Sequence, residues 1–210
     1  MSLTAKFVVT ATLTAAITAG LATPAVAATP AVPVATVAPT APVASSGSTV
    51  TEQQWLADVA AAIAPARAYL EQRTAEPTDE TPAIVFDIDN TTLATHFHPF
   101  TMPGIAPVVE LARYAHSRGV AVVFVTARVD FIEPVTRYSL EKAGYTVDEL
   151  HGRGLGDLFK SVQQYKTDER TEIENEDYTI IASVGNNWTD LNGGHAEQTF
   201  KLPDYNGLLS

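Results

Sequence analysis

Cysteine is absent from all 210 residues. Disulfide bridges and thiolate zinc sites are therefore excluded, and the apolar core must hold the fold. Basic residues are scarce too: 13 Lys and Arg stand against 24 Asp and Glu, a formal net charge of −11. A nucleic-acid surface needs clustered Lys and Arg, so this balance argues against one. The acid excess favours solubility and implies nothing about the fold. Charge is almost missing from the first 48 residues, where Lys6 stands alone and no twin-Arg pair occurs.

That N-terminal stretch has a recognisable order. Lys6 precedes an apolar run from Phe7 to Leu21, and Ala25-Val26-Ala27 follows with small side chains. Residues 1–27 read as a secretory signal peptide cleaved near Ala27. The run is short and Thr-rich for a bilayer span, so no membrane span is expected after cleavage, and the mature chain is expected outside the cell. Residues 28–49 are dominated by Ala, Pro, Val, Thr and Ser. Repeated proline removes backbone donors and favours an extended, solvated chain, so this segment reads as a disordered linker. Residues 50–210 are left for one globular domain of ordinary size.

Within it, Thr51 and Gln54 form a capping-box start. Trp55, Val59, Ala62, Ile63, Ala66 and Leu70 then recur at helical spacing to about Arg73, with Pro65 expected to kink or split the helix. Ala83–Phe86, Ala121–Thr126 and Thr179–Val184 are short apolar runs suited to strands buried on both faces. Pro107 and Gly119 frame a helix between the first two runs. Further helices are expected after Asp130, ending at Gly144, and from Tyr165 to Asn175. Strands alternating with helices predict an α/β fold with a doubly wound parallel sheet. Such sheets bind ligands at the carboxyl ends of their strands. The three apolar runs give out at Asp87, Thr126 and Asn186, so distant residues should meet at one edge.

Asp87 and Asp89 need a reason to sit where an apolar strand ends, because a buried charge is costly without compensation. Three readings are open. The pair can terminate a strand and cap a turn. A calcium loop would need Gly at its sixth position, where Thr92 stands. In the third reading, Asp87 attacks phosphorus as a carboxylate nucleophile and Asp89 shuttles a proton.

The ordered set Asp87-x-Asp89-x-Thr91, Val125-Thr126-Ala127-Arg128, Tyr165-Lys166-Thr167 and Gly185-Asn186-x-x-x-Asp190 resembles the motifs of the haloacid dehalogenase (HAD) superfamily. It is similar in particular to the secreted acid phosphatases of subfamily IIIB, the branch that includes vegetative storage proteins. The resemblance implies a Rossmann-like, three-layer α/β/α fold across residues 50–210. It implies hydrolysis of small-molecule phosphomonoesters through an aspartyl-phosphate on Asp87, with Asp89 as general acid and base. Thr126 would hold phosphoryl oxygens and Lys166 would neutralise charge, while Asp87, Asp89 and Asn186 would bind Mg2+. The superfamily usually has Asp at the position of Asn186, which leaves Asp190 as a second candidate ligand. It also leaves a non-catalytic secreted binding or storage protein as the alternative.

Arg128 and His98 are further substrate-binding candidates, with His96 beside the latter. Lys160 competes with Lys166. The intervals between motifs are too short for a large cap domain.

Overall fold

In the computed structural model, residues 50–209 are described. The expected signal peptide over 1–27 and linker over 28–49 lie outside the described residues. Five parallel strands form the centre: β1 (Thr81–Phe86), β2 (Ala121–Val129), β3 (Glu149–Arg153), β4 (Tyr178–Gly185) and β5 (Gln198–Lys201). Their order is β3-β2-β1-β4-β5. The chain winds outward from β1 through β2 to β3, returns to the other side of β1 as β4, and ends at β5. The direction of winding thus reverses between β1 and β4, where open α/β sheets leave a crevice beyond the strand ends.

Four helices cover the sheet: α1 (Glu52–Arg73), α2 (Ala106–Ser117), α3 (Glu133–Ala143) and α4 (Val162–Asn175). Alternation along the strands sorts the core into two layers. Ile84, Phe86, Val122, Phe124 and Val184 pack with Trp55, Val59 and Leu70 of α1 and with Val108 and Leu111 of α2. Ala83, Val85, Val123, Val125 and Ile180 face the other way, against Tyr165 and Ile173 of α4. Burying a large apolar side chain contributes about 1.5–3 kcal/mol, against ~0–1 kcal/mol for an exposed ion pair. The two apolar layers therefore set the fold. No helix among the described residues is long and apolar enough to cross a membrane.

Thr51 caps α1 as expected, its hydroxyl accepting from the Gln54 N–H at 3.2 Å. Pro65 does not split the helix, which runs unbroken to Arg73. Proline removes a donor to the carbonyl of Ala61, but both residues lie on the exposed face, where water satisfies that carbonyl. Gly144 ends α3 with a φ of 99°, the left-handed cap that glycine adopts without strain. A 3-10 turn over Asp130–Ile132 precedes that helix, and α4 starts at Val162, three residues before the expected Tyr165. Its cap is Ser161, whose hydroxyl accepts from the Gln164 N–H at 3.1 Å.

The edge strands β3 and β5 were not expected from the apolar pattern. On β3, His151 sits between two carboxylates, with Nδ1 3.0 Å from Glu169 of α4 and Nε2 3.1 Å from Glu149. Both partners are acceptors, so the geometry suits an imidazolium donating from both nitrogens. Burial works against that charge, but the two glutamates outweigh it and raise the imidazole above its ordinary value. A raised histidine stabilises the fold fully below its unfolded value, about pH 6.5, and loses that contribution as pH rises through the folded value. Wild type should thus exceed His151→Gln in melting temperature at pH 6, with the gap closing toward pH 9. A gap that is constant with pH would show that His151 is not charged here.

Candidate active site

β1 delivers the first motif. After Phe86 the chain stays extended, so Asp87 and Asp89 share one side while Ile88 is buried in the core. Asn90 then turns the backbone with a φ of 56°, a left-handed conformation that asparagine tolerates better than most residues. The Ile88 carbonyl receives the N–H groups of Thr92 at 2.9 Å and Leu93 at 3.0 Å, closing the turn tightly. Thr91 faces β4, where its hydroxyl accepts from the Asn186 N–H at 2.9 Å. The first and fourth motifs are therefore joined directly across the switch point.

The centre of the site is a buried ion cluster. Lys166 on α4 donates to Asp87 at 2.5 Å and to Asp190 at 2.6 Å, with all three side chains under 10% exposed. Two carboxylates against one ammonium leave a formal charge of −1 inside the protein. Burial pushes the Asp87 carboxyl up to about 6; Lys166 opposes the rise, and Asp190 and Asp89 add to it. Burial alone would lower Lys166, but attraction to Asp87 and Asp190 reverses this and raises it. The site thus has negative charge that one lysine does not fully compensate.

Asp190 is held from several sides. Its Oδ2 accepts from the Asn187 N–H at 2.8 Å, in a capping box at the 3-10 turn Trp188–Asp190. A Cβ on Gly185 would collide with the Asp190 side chain, so only glycine allows this close approach. Arg170, one helical turn beyond Lys166, is also buried. Its guanidinium donates to the carbonyls of Asp190 at 2.8 Å, Asn192 at 2.5 Å and Gly194 at 3.0 Å. Residues i and i+4 share a helix face, so α4 grips the same loop by a carboxylate and by its backbone. Sequence reasoning missed Arg170, although its i+4 spacing from Lys166 was a usable signal.

A cavity of about 260 Å³ opens on this cluster, lined by Asp87, Asp89, Lys166, Asn186 and Asp190, with Thr189 at its side. Thr126 ends the apolar part of β2, buried, and its hydroxyl accepts from the Arg128 N–H at 3.2 Å. Arg128 bonds to Asp89 through both carboxylate oxygens, at 2.9 and 2.7 Å, so it pairs with a local acid in this structure. His98 does not reach the cavity. Its Nε2 lies 2.8 Å from Glu52 at the start of α1, a partner whose charge draws the ring away. Lys160 is half-exposed and pairs with Asp157 and Asp168, which leaves Lys166 as the lysine at the site.

No group of three or more His, Asp or Glu side chains that could hold a metal occurs among the described residues, so a cation here would also need carbonyl and amide oxygens. Asp87 spends one oxygen on Lys166, and the Asp89 carbonyl and Asn186 Oδ1 are also hard donors suited to a divalent cation. Asp190 suits that role less, since Lys166 and the Asn187 N–H occupy its two oxygens. The under-compensated charge of the cluster fits the same donor set. Removing the lysine should expose how much the cluster depends on it. Lys166→Met leaves two buried acids unpaired and should cost about 3–5 kcal/mol at pH 7. The loss should shrink toward pH 4 as the acids take up protons, which urea unfolding at both pH values would measure. An equal loss at both would contradict this account of the cluster.

The comparisons with known proteins agree with this architecture. The sequence profile of the family described as "HAD superfamily, subfamily IIIB (Acid phosphatase)" matches residues 8–101 and 97–208. The Stem 28 kDa glycoprotein of Glycine max is 35% identical over 92 residues, covering 42% of this chain and 36% of that protein. Acid phosphatase 1 of Solanum lycopersicum is 29% identical over 106 residues, covering 50% of this chain and 42% of that protein. The matched segments thus span less than half the length of these relatives. A class C acid phosphatase from Bacillus anthracis, solved with tungstate bound, superposes with a TM-score of 0.57 at 18% identity, over 68% of this chain and 67% of that one. That likeness supports the fold. With its profile match running almost end to end, this chain belongs to subfamily IIIB of the HAD superfamily, the acid phosphatase family.

Proposed function

We propose that this protein is an exported phosphomonoesterase that works through an aspartyl-phosphate on Asp87. The observation that carries the reading is the placement of Asp87: buried, fixed by Lys166, and opening on a cavity at the switch point with Asp89 two residues away. A carboxylate held this way is oriented and partly desolvated, which favours attack.

The chemistry follows from these positions. An Asp87 oxygen forms a bond to phosphorus while the ester P–O bond breaks, and the leaving oxygen takes a proton from Asp89. Water then attacks the phosphorus, giving its proton to Asp89, and the bond to Asp87 breaks to release inorganic phosphate. Lys166 keeps Asp87 in place through both steps and offsets charge on the transferring group. Asp89 must leave Arg128 to act. A phosphate dianion offers the guanidinium a competing bidentate partner, so substrate arrival itself frees the acid. Asp87, the Asp89 carbonyl and Asn186 would hold magnesium, which when bound neutralises phosphoryl oxygens.

Substitution of Asp87 by Asn preserves shape and removes the nucleophile. Hydrolysis of a simple aryl phosphate by Asp87→Asn should fall by about three orders of magnitude or more, and chelation should abolish wild-type turnover. Near-normal rates in the variant would exclude the covalent route. Export is supported by the pattern of residues 1–27, and sequencing the secreted protein should give Ala28 at or near its N-terminus.

One observation favours a second reading, a secreted non-catalytic binding or storage protein. Asn186 brings no charge to the donor set, and its amide nitrogen is engaged by the Leu209 carbonyl. This reading expects no phosphate release at saturating magnesium, while inorganic phosphate still raises the melting temperature by mass action.

A further inference from the structure

The last residues of the described chain reach into the site through one main-chain atom. The carbonyl of buried Leu209 accepts from the side-chain amide of Asn90 at 2.9 Å and from that of Asn186 at 2.7 Å. A carbonyl has only lone pairs to offer, so both contacts require the N–H end of the amide, and both amides are fixed in orientation. The Asn90 oxygen then accepts from the His96 N–H at 2.7 Å. The Asn186 oxygen accepts from the Thr91 hydroxyl at 3.2 Å and keeps a second lone pair.

The same segment also grips the backbone of Asn186. Lys201 donates to the Asn186 carbonyl at 2.5 Å and to the Leu202 carbonyl at 2.8 Å. The Leu202 N–H bonds to the Gly185 carbonyl at 2.8 Å, and the Leu209 N–H to the Asp204 carbonyl at 3.1 Å. Tyr205 fastens the segment to α1 through Asp58 at 2.5 Å.

We propose that residues 201–209 are a positioning element of the site, and that residue 186 is asparagine because the Leu209 carbonyl faces it. A hard cation prefers an anionic oxygen, so charge alone would select aspartate at a metal-facing position. An aspartate here would set a carboxylate oxygen against a carbonyl oxygen at hydrogen-bonding distance. It would lose the bond, leave the Leu209 carbonyl to Asn90 alone and add repulsion to a cluster already rich in negative charge. The neutral amide satisfies Leu209 and still presents one oxygen. Asn90 shares the acceptor without lining the cavity, and glycine in its place would keep the left-handed backbone of the turn while removing the bond to Leu209.

Two measurements on the full chain test this, and the metal arm rests on the function proposed above. Hydrogen exchange of the 202–209 peptide is followed without metal in wild type, Asn186→Asp and Asn90→Gly, the glycine keeping the left-handed backbone at that position. Exchange of the Leu209 amide should speed up about tenfold in Asn186→Asp, the effect of one lost hydrogen bond, and less in Asn90→Gly. Magnesium is then titrated against melting temperature. Asn90→Gly should need several-fold more magnesium for the half-maximal rise, a shift that loss of stability alone does not produce. Unchanged exchange in Asn186→Asp would overturn the proposal. So would a wild-type magnesium midpoint in Asn90→Gly. If magnesium raises the melting temperature of no protein, the metal reading fails while the exchange comparison still decides the role of Leu209. Should Asn186→Asp not fold, exchange in Asn90→Gly decides it.

Discussion

The candidate site depends on one constraint, the burial of an ammonium between two carboxylates. Lys166, Asp87 and Asp190 come from three elements that share no local sequence, and their side chains are nearly removed from water. Desolvating such groups is costly, and attraction offsets the cost only with close geometry. Much of the surrounding structure supplies that geometry. The Ile88 turn fixes Asp87, the capping box and Gly185 fix Asp190, and Arg170 holds the loop that carries it. The same arrangement that is demanding for stability leaves the Asp87 carboxylate oriented and partly uncompensated.

Hydrogen bonding to neighbours decides what each polar residue can do, and it separates residues that look alike in the chain. Asp87 and Asp89 are two positions apart, yet one is locked to a lysine and the other to an arginine. Lysine keeps a point charge against its acid, whereas the planar guanidinium binds both oxygens in a fork. Asn186 shows the same rule for an uncharged residue. The Leu209 carbonyl takes its nitrogen, and its oxygen accepts from the Thr91 hydroxyl with one lone pair to spare.

Much of this was legible from residue order. The three apolar runs that became β1, β2 and β4 are buried on both faces, so continuous hydrophobicity announced them, and their ends located Asp87, Thr126 and Asn186. The edge strands were not legible. Glu149-Leu-His-Gly-Arg153 and Gln198-Thr-Phe-Lys201 are polar because an edge is half solvated, and polar residues there discourage pairing with other chains. The partners of Arg128 and His98 were also hidden, since a long charged side chain reaches several acids and only the fold selects one. Pro65 misled because its consequence depends on which helix face it occupies. Leu209 contributes a main-chain carbonyl, which every residue possesses and no motif can mark.

The separation of the bonded pairs along the chain has a consequence for folding. Thr91 bonds to a residue 95 positions later, Asp87 to one 79 later and Asn90 to one 119 later. Contacts of such span form only after the intervening loops have closed, so they arrive late in folding. The residues of the candidate site therefore assemble together with the finished sheet and not on any fragment of it. A growing chain that has not yet extended past Lys166 holds Asp87 without its ammonium partner. An assembled ion cluster is in this sense a readout of complete folding.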